Sequence, residues 1–378
     1  MKKVAIFTIN DYNNYGNRLQ NYATQEVIRS LGFEVETIVN PRCKNNFSGT
    51  NNVKYKLQKL MNKSNKEKYE SIKTKIRSLI NKKSQYKRIA AFKEFTAKNI
   101  IESDWFISNN NIPEELSIRY DFFITGSDQV WNPLLGFGSS IDFLIFAPQN
   151  KRISYAPSFG IETVPDEWLG NFKVWLTQMS NLSVREEAGA KIIKELTGRE
   201  ALVLVDPTLM FSKEKWLSIS KPAINKPENA YLSTYFLGHV SKVNQKRIKQ
   251  IAMDNKLELV NLANIKDKAR FVADPGEFID YINSSSLFLT DSFHGAIFSI
   301  LLEKPFITFD RVGKTPSMNS RIDTLLSKFN LQHRKLENIK NNDDIFNVDY
   351  SKIPPILETE RNKALNYLKN ALNVKADI

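Results

Sequence analysis

Residues 288–310, FLTDSFHGAIFSILLEKPFITFD, join a short apolar run, a polar turn, a longer apolar run and a third short one. Their lengths and breaks predict a strand over 287–290, a helix over 294–302 and a strand over 306–309. Such a unit forms parallel strands whose carboxyl ends meet at one edge of a sheet, where ligands bind. His294 stands in the turn at that edge. The segment therefore predicts an α/β fold with a polar site beside it.

The same alternation runs through the rest of the chain. In the N-terminal half, 3–8 is the first predicted strand and 17–31 the helix that follows it. A polar stretch with two prolines, 212–229, interrupts the pattern before it starts again. We therefore expect two doubly wound Rossmann-like domains facing a cleft, over residues 1–215 and 228–355, followed by a C-terminal helix over 356–378.

The net charge of +13 is concentrated in one segment of the 378-residue chain. Residues 54–94 hold fourteen Lys and Arg against three Glu, with helical spacing and few helix breakers. The pattern predicts a basic helical insertion in the N-terminal domain, over about residues 52–98. A solvated helix surface explains such a charge run, and an approach to an anionic membrane is the alternative.

Several absences narrow the class of protein. Cys43 is the only cysteine, which fits a reducing compartment, and neither a signal-peptide core nor a membrane-spanning apolar run is present. Gly136 and Gly138 lack the third glycine of a dinucleotide fingerprint, and Walker, HExxH, CxxC, DxD and GxSxG patterns are missing. We expect a cytoplasmic protein, with attachment at the inner face of the membrane left open, and no metal site.

The first candidate site segment is DYNNYGNRLQNYATQ, residues 11–25. A glycine allows a tight turn, an asparagine can cap the helix that follows, and the free N–H groups of that helix can bind an anion. An ordinary strand-to-helix turn is the alternative. The predicted substrate-binding residues here are Asn14, Gly16, Asn17, Arg18 and Gln20.

The second segment is TGSDQVWNP, residues 125–133, at the end of another predicted strand. Ser127 and Asp128 would deliver a hydroxyl and a carboxylate to the cleft. Gln129 and Trp131 suit a sugar, which has hydroxyl edges and apolar ring faces. The alternative is that Asp128 only caps a helix and Trp131 only fills the core.

Two further segments add cations and an imidazole. Arg185, at the end of a predicted strand in LSVREEAG, has the fork that matches a carboxylate or phosphate, and a salt bridge to Glu186, Glu187 or Asp206 is the alternative. His294 can act as an acid or base near neutral pH. The residues beside it that are predicted to bind substrate are Asp291, Ser292, Asp310, Arg311, Lys314, Asn319 and Arg321.

Taken in order, these segments resemble the polysaccharide pyruvyl transferase family, from residue 10 to about 321. The pieces that carry the resemblance are YGNRLQNYATQ, TGSDQVWNP, RISYAPSFG, VREEAGAKIIKELTG, VLVDPTLM and the segment that contains His294. The resemblance implies a bacterial enzyme with a GT-B-like fold and no cofactor. It also implies phosphoenolpyruvate as donor, a cell-surface glycan or lipid-linked saccharide as acceptor, and a pyruvate ketal as product.

Members of that family commonly carry Arg-Leu-His where this chain has Ser292-Phe293-His294. The resemblance implies that His294 is the catalytic acid/base, and the missing cation leaves Arg311, Lys314 or Arg321 as its replacement. We expect Arg185 to clamp the donor and Asp128 to activate the acceptor hydroxyl.

Two other functions remain open at this point. One is a GT-B glycosyltransferase that uses a nucleotide-sugar donor. The other is a basic protein that binds nucleic acid or a membrane surface through residues 54–88. Few aromatic residues interrupt that stretch, and it leaves the polar strand ends unexplained, so we expect no nucleic-acid partner. The enzyme hypothesis requires the side chains of residues 185 and 294 to lie close together.

Overall fold

The computed structural model describes residues 1–40, 65–108, 111–311 and 319–374, with the side chains of 65–80 and 106 excepted. The predicted site residue Lys314 and the first part of the predicted insertion, 52–64, lie outside the described residues.

Strands and helices alternate along nearly the whole described chain. The strands are β1 (Lys3–Phe7), β2 (Glu34–Val39), β3 (Glu102–Phe106), β4 (Phe122–Thr125), β5 (Arg152–Ser154), β6 (Ser183–Val184), β7 (Leu202–Val203), β8 (Tyr231–Tyr235), β9 (Glu258–Asn261), β10 (Leu287–Thr290) and β11 (Phe306–Thr308). The helices are α1 (Tyr15–Ser30), α2 (Asn65–Asn99), α3 (Leu116–Arg119), α4 (Asp166–Thr177), α5 (Glu187–Thr197), α6 (Lys213–Ile219), α7 (Lys242–Asp254), α8 (Lys268–Phe271), α9 (Pro275–Ser284), α10 (Phe293–Leu301), α11 (Ser320–Lys328), α12 (Asp343–Phe346) and α13 (Ile353–Ala371).

These strands form two parallel sheets. The N-terminal sheet has the order β3-β2-β1-β4-β5, and a bridge between Ile153 and Asn181 connects it to the β6-β7 pair. The C-terminal sheet has the order β11-β10-β8-β9. The predicted α/β fold with two Rossmann-like domains facing a cleft is confirmed. The predicted domain limits stay a prediction.

The order of the strands explains where the cleft lies. Strand β1 pairs with β2 on one side and β4 on the other, and β8 pairs with β9 on one side and β10 on the other. The connections that follow β1 and β4, or β8 and β10, therefore diverge at the carboxyl ends of the strands. Ligands bind at such switch points in open parallel sheets, because the diverging loops leave a crevice. Each domain contributes one switch point to the cleft.

The central elements are apolar on all sides, as parallel sheets covered on both faces require. Strands β4 and β10 are buried over their whole length, and so is helix α10. A single core cluster continues from one domain into the other. Within it, the ring of Tyr15 in α1 stacks on Phe278 in α9, with ring centroids 4.1 Å apart. The two walls of the cleft are therefore joined by packed side chains at its base.

The last described helix, α13, returns from the second domain to the first. The Tyr367 hydroxyl donates to the Ser154 carbonyl over 2.7 Å, and Arg361 donates to the carbonyls of Leu209 and Phe211. The helix begins three residues earlier than predicted because two prolines occupy its first turn, where no amide donor is needed.

The basic insertion is only partly a solvated surface. Helix α2 covers the C-terminal part of the predicted insertion, and Lys82, Lys83 and Lys87 on it are exposed. Arg88 and Phe92, however, are buried, with exposed fractions of 2% and 0%. A buried guanidinium needs specific partners, which makes this end of the helix part of the domain architecture. In the described part of the chain, every helix is too short or too polar to cross a bilayer.

Candidate active site

A cavity of about 680 Å³ opens between the two domains at their switch points. The N-terminal domain lines it with Ile9, Asn10, Asp11, Asn14, Asn17, Asn40, Asp128, Gln129, Leu135, Gly136 and Phe137. The C-terminal domain lines it with Leu237, Ser292, Phe293, His294, Arg311 and Arg321.

His294 lies in the first turn of α10, directly after β10. The Ser292 hydroxyl caps the helix by accepting a hydrogen bond from the Gly295 amide over 3.3 Å, which fixes the turn that carries the imidazole. The imidazole reaches across the domain boundary, and its Nε2 lies 3.5 Å from Oδ2 of Asp206. That separation is long for a hydrogen bond and short enough for a strong electrostatic interaction.

Gly16 contributes space rather than a ligand contact. A Cβ atom at position 16 would lie 2.1 Å from Nδ1 of His294, well inside van der Waals contact. Helix α1 can approach the imidazole only because this residue has no side chain. The prediction that Gly16 binds substrate is therefore wrong. Gly16 instead leaves room for the imidazole, which lies between α1 and Asp206.

Asp206 is a buried carboxylate with a full set of donors. Oδ2 accepts from Arg185 Nη1 over 2.7 Å and from the Ser127 hydroxyl over 2.9 Å. Oδ1 accepts from the amide and the hydroxyl of Thr208. Burial opposes its ionisation, but His294, Arg185 and the Thr208 amide together hold the pKa of Asp206 well below its usual range. It is therefore charged and orients the imidazole.

Asp206 was missed as a site residue by the sequence analysis, which treated it only as a salt-bridge partner of Arg185. A signal was available. Asp206 ends an apolar run in VLVDPT, as Asp128, Arg185 and Asp291 end theirs, and the proline that follows it marks the end of the strand.

Arg185 lies behind the cavity wall. Its side chain is 1% exposed, and the guanidinium stands 4.4 Å from the ring centroid of Phe293. Burial opposes its charge, yet Asp206, Asp128 and Glu186 raise its pKa. The prediction that Arg185 clamps the donor directly is wrong, because the side chain is buried outside the cavity lining and its Nη1 is bonded to Asp206. The side chains of residues 185 and 294 do meet, at the same oxygen of Asp206.

Asp128 faces the cavity from the turn after β4, with a left-handed φ of 66°. Its Oδ2 accepts from Asn17 Nδ2 over 3.3 Å, and its Oδ1 lies 3.6 Å from Arg185 Nη2. Burial opposes its ionisation, but Arg185, His294 and Arg321 lower the pKa of the carboxyl below its ordinary value. Asp128 is therefore an ionised acceptor on the N-terminal wall of the cavity, close enough to the cations for them to stabilise its charge.

Two predicted ligand residues of α1 point away from the cavity. Arg18 is fully buried and donates to Glu102 over 3.0 Å and to the Ile9 carbonyl over 2.7 Å. Gln20 donates to the Thr8 hydroxyl and to the carbonyl of Asn17. The prediction that they bind substrate is wrong, because both side chains support the loop after β1 from behind. Asn14 and Asn17 do line the cavity.

Two residues of the second segment also lie behind the wall. Trp131 is fully buried, stacks on Phe143 with centroids 4.8 Å apart, and donates its Nε1 hydrogen to the Asp142 carbonyl. Ser127 is fully buried and bonded to Asp206 and the carbonyl of Ala156. Their predicted substrate contacts are wrong, and the core alternative holds for Trp131.

The C-terminal wall presents two guanidinium groups, those of Arg311 and Arg321. Burial, followed by the like charges of Arg185 and Arg311, lowers the pKa of Arg321 to about 9, so it remains charged at neutral pH. The Asp291 carboxylate lies 3.4 Å from Arg311 Nε and accepts from the amides of Leu237 and Gly238. This carboxylate fixes the loop and the arginine.

Three further predicted residues, Asp291, Asn319 and Asp310, do not line the cavity. Asn319 accepts a hydrogen bond from the Arg311 amide over 3.1 Å. Asp310 is exposed and lies 3.6 Å from Lys335. The prediction that Asp291, Asn319 and Asp310 bind substrate directly is therefore wrong, since these side chains lie behind or beside the two arginines. In the ranges that the structure describes, no three His, Cys, Asp or Glu side chains group as metal ligands.

We predict that Asp206→Asn lowers stability by about 3–5 kcal/mol near neutral pH, because it leaves the buried Arg185 guanidinium without its closest charge. The carboxyl's pKa is lower in the folded than in the unfolded chain. Its stabilising effect is therefore complete above the unfolded pKa of about 4 and is lost as pH falls below it. Urea unfolding between pH 2 and 7 measures both effects, and a variant with unchanged stability and acid dependence would contradict the assignment.

We predict that Gly16→Ala displaces the imidazole of His294 and destabilises the protein by about 1–3 kcal/mol, the usual result of overpacking. Gly170→Ala in α4 is the matched control, because a Cβ atom there meets nothing within 4 Å. The histidine side-chain NMR signals and urea unfolding report the two quantities. Unshifted His294 signals in the first variant would show that α1 does not confine the ring.

The sequence model of the family described as polysaccharide pyruvyl transferase matches residues 14–311. No curated protein matches the chain significantly.

Solved structures similar to this chain are distant in sequence. UDP-GlcNAc 2-epimerase from Neisseria meningitidis is 12% identical, with 99% of this chain and 98% of that chain covered and a TM-score of 0.44. UDP-GlcNAc 2-epimerase from Methanocaldococcus jannaschii is 11% identical, with 99% of this chain and 100% of that chain covered and a TM-score of 0.45. ADP-heptose LPS heptosyltransferase II from E. coli is 10% identical, with 98% of this chain and 100% of that chain covered and a TM-score of 0.34. Similarity this distant carries no information about activity. The family match spans most of the chain and includes the turns that carry Asp128, Asp206 and His294, so the chain belongs to the polysaccharide pyruvyl transferase family.

Proposed function

We propose that this protein transfers the enolpyruvyl unit of phosphoenolpyruvate to a sugar of a cell-surface glycan or lipid-linked precursor, forming a pyruvate ketal in the cytoplasm. Family membership supports a transferase that acts on a polysaccharide. The observation that carries the donor and the chemistry is one cavity that holds an oriented imidazole, an ionised carboxylate and two guanidinium groups. The co-substrate is the only small molecule that the proposal requires.

The C-terminal wall has the chemistry of a seat for the donor. Phosphoenolpyruvate carries a carboxylate and a phosphate, and arginine binds both groups through paired N–H donors. Arg311 and Arg321 present such donors to the cavity. The free amides at the start of α10 add a further anion site on the same wall.

Ser292 explains why the cation comes from elsewhere. The family's arginine is replaced here by a serine whose hydroxyl caps α10. Arg321 in α11 reaches the cavity, and its guanidinium carbon lies 5.8 Å from the ring of Phe293, the neighbour of that serine. In the proposal, Arg321 supplies the cation that residue 292 lacks.

The N-terminal wall has the chemistry of a seat for the sugar. Its amide side chains can donate to and accept from sugar hydroxyls, and the ring of Phe137 offers an apolar face of the kind predicted for Trp131. The amide-bearing residues that line this wall are Asn10, Asn14, Asn17, Asn40 and Gln129.

The proposed reaction involves three proton transfers within the site. The first goes from His294 to the methylene carbon of phosphoenolpyruvate, so that positive charge develops at the central carbon. A sugar hydroxyl attacks that carbon and gives its proton to Asp128. The C–O bond to phosphate then breaks, the second hydroxyl closes the ring, and its proton leaves with inorganic phosphate. Asp128 afterwards releases its proton to water and His294 takes one up, so the two sugar protons end on the new methyl group and on phosphate while two C–O bonds form and one breaks.

The buried charges match these roles. The Asp206 carboxylate faces the imidazole of His294, with 3.5 Å between Nε2 and Oδ2, as the carboxylate of a catalytic triad faces its histidine. Arg185 prevents Asp206 from taking the proton, because it favours the ionised form of that carboxyl. The Asp128 carboxylate is likewise ionised and accessible from the cavity. An acid and a base thus stand on opposite walls of one cavity.

We predict that His294→Gln lowers kcat for phosphate release from phosphoenolpyruvate by about 10²–10⁴-fold, the usual loss when an acid/base group is removed. The KM for phosphoenolpyruvate should change little, because the anion seat is intact. The assay combines phosphate detection with mass spectrometry of a panel of sugar acceptors. His333→Gln is the control, since that residue lies in a surface turn of the second domain. Near wild-type turnover of His294→Gln would remove this residue from the mechanism.

We predict that Arg321→Met raises the KM for phosphoenolpyruvate about 10–100-fold, the loss expected for one hydrogen bond to a charged group. Arg321→Lys should recover part of it, because a point charge remains. Arg29→Met, with its side chain 54% exposed in α1, is the control.

A thermal-shift comparison tests the choice of donor directly. We expect phosphoenolpyruvate, but not UDP-GlcNAc, to raise the melting temperature of the wild type, and this shift to be smaller in Arg321→Met. Stabilisation by the nucleotide sugar alone would overturn the proposed donor.

A further inference from the structure

Arg88 is a buried cation of α2, whereas the lysines that precede it, Lys82, Lys83 and Lys87, are exposed. It is 2% exposed, whereas the neighbouring Lys87 is exposed. The guanidinium packs on three aromatic rings, with its central carbon 4.3 to 4.9 Å from the centroids of Tyr15, Phe92 and Phe271. Burying a charge in this way costs free energy of folding unless the charged group is hydrogen-bonded.

The hydrogen bonds of Arg88 join the two domains. On the N-terminal side, Nε donates to Oδ1 of Asn13 and Nη1 donates to the hydroxyl of Tyr15, both over 2.7 Å. On the C-terminal side, Nη1 also donates to the carbonyl of Phe271 in α8 over 2.5 Å. One guanidinium therefore holds the loop after β1, the start of α1 and the end of α8 together.

Tyr15 extends this connection. Its ring stacks on Phe278 in the second domain, and its hydroxyl donates to the Ala273 carbonyl over 3.1 Å. The next residue is Gly16, whose missing side chain makes room for the imidazole of His294. The interdomain connection and the contact that confines the imidazole are thus adjacent residues of one helix.

The position of this connection matters because the site is divided between the domains. His294 and Arg321 come from the second domain, whereas Asp206, Asp128 and Asn17 come from the first. A small rotation between the domains changes the distance from His294 to Asp206 before it changes anything within either domain. Misplacement of reacting groups by about 1 Å can cost about 10²-fold in rate.

We propose that Arg88 is a positioning residue that fixes the two domains relative to each other and thereby holds His294 against Asp206. Its planar fork can donate to Asn13, Tyr15 and Phe271 in fixed directions, which a lysine cannot do. The effect on turnover rests on the proposed function. The effect on domain geometry does not.

The experiment compares Arg88→Met with Arg334→Met. Arg334 is equally buried, but it donates only to carbonyls of its own domain, those of Phe306, Asp344 and Ile345. Both variants should lose stability. Only Arg88→Met should lower kcat for phosphate release, by about tenfold or more, with a smaller change in the KM for phosphoenolpyruvate.

Two measurements need no substrate and test the connection even if the proposed donor is wrong. In Arg88→Met, small-angle X-ray scattering should give a larger radius of gyration, and hydrogen exchange should speed up in residues 13–17 and 293–301. Neither change is expected in Arg334→Met or in Lys87→Met, the exposed neighbour.

Arg88→Lys keeps the positive charge and replaces Arg88→Met in these measurements if the Met variant does not fold. Its kcat is expected to lie between those of the wild type and Arg88→Met. The proposal is overturned if the folded Arg88 variant keeps wild-type scattering, exchange and turnover while it loses as much stability as Arg334→Met. A different outcome would count against the proposed donor instead. In it, Arg88→Met shows altered scattering and exchange, but neither the wild type nor any variant releases phosphate from phosphoenolpyruvate.

Discussion

The carboxylate of Asp206 is the point on which the rest of the site depends. One of its oxygens accepts from Arg185 of the first domain and faces His294 of the second, at 2.7 and 3.5 Å. A buried carboxylate without these partners would be protonated, and a buried guanidinium without the carboxylate would be unstable. Because Arg185 and the imidazole are both directed at this carboxylate, one buried anion links the interior of the first domain to the histidine of the second.

This arrangement separates the tasks of the charged residues. Arg185, which lies behind the wall, keeps Asp206 ionised, whereas Arg311 and Arg321 present their charge to the cavity. Asp128 stays ionised on the opposite wall because the cations lower its pKa. The cavity is therefore polarised before any ligand binds. Preorganised charges of this kind need no rearrangement when charge develops in a reaction.

The two residues proposed as base and acid were predicted from the ends of strands, and both line the cavity. Asp128 and His294 follow buried strands, and parallel strands place their carboxyl ends along one edge. The same argument failed for Trp131, Arg18 and Gln20. Trp131 lies in the turn after β4, and Arg18 and Gln20 lie in the first two turns of α1, but the direction of each side chain depends on the elements packed against it. An indole suited to a sugar is equally suited to the core that Trp131 shares with Phe143 and with Phe172 of α4.

The sequence by itself determined the alternation of strands and helices, the two-domain α/β fold and the turns that carry polar groups, because periodicity and turn chemistry act over a few neighbouring residues. Only the tertiary structure decided which polar groups face the cavity. Asp206 meets His294, and Arg88 meets Phe271, across the domain boundary. Residues so far apart in the chain are brought together only when the two domains dock, and no local pattern encodes that distance.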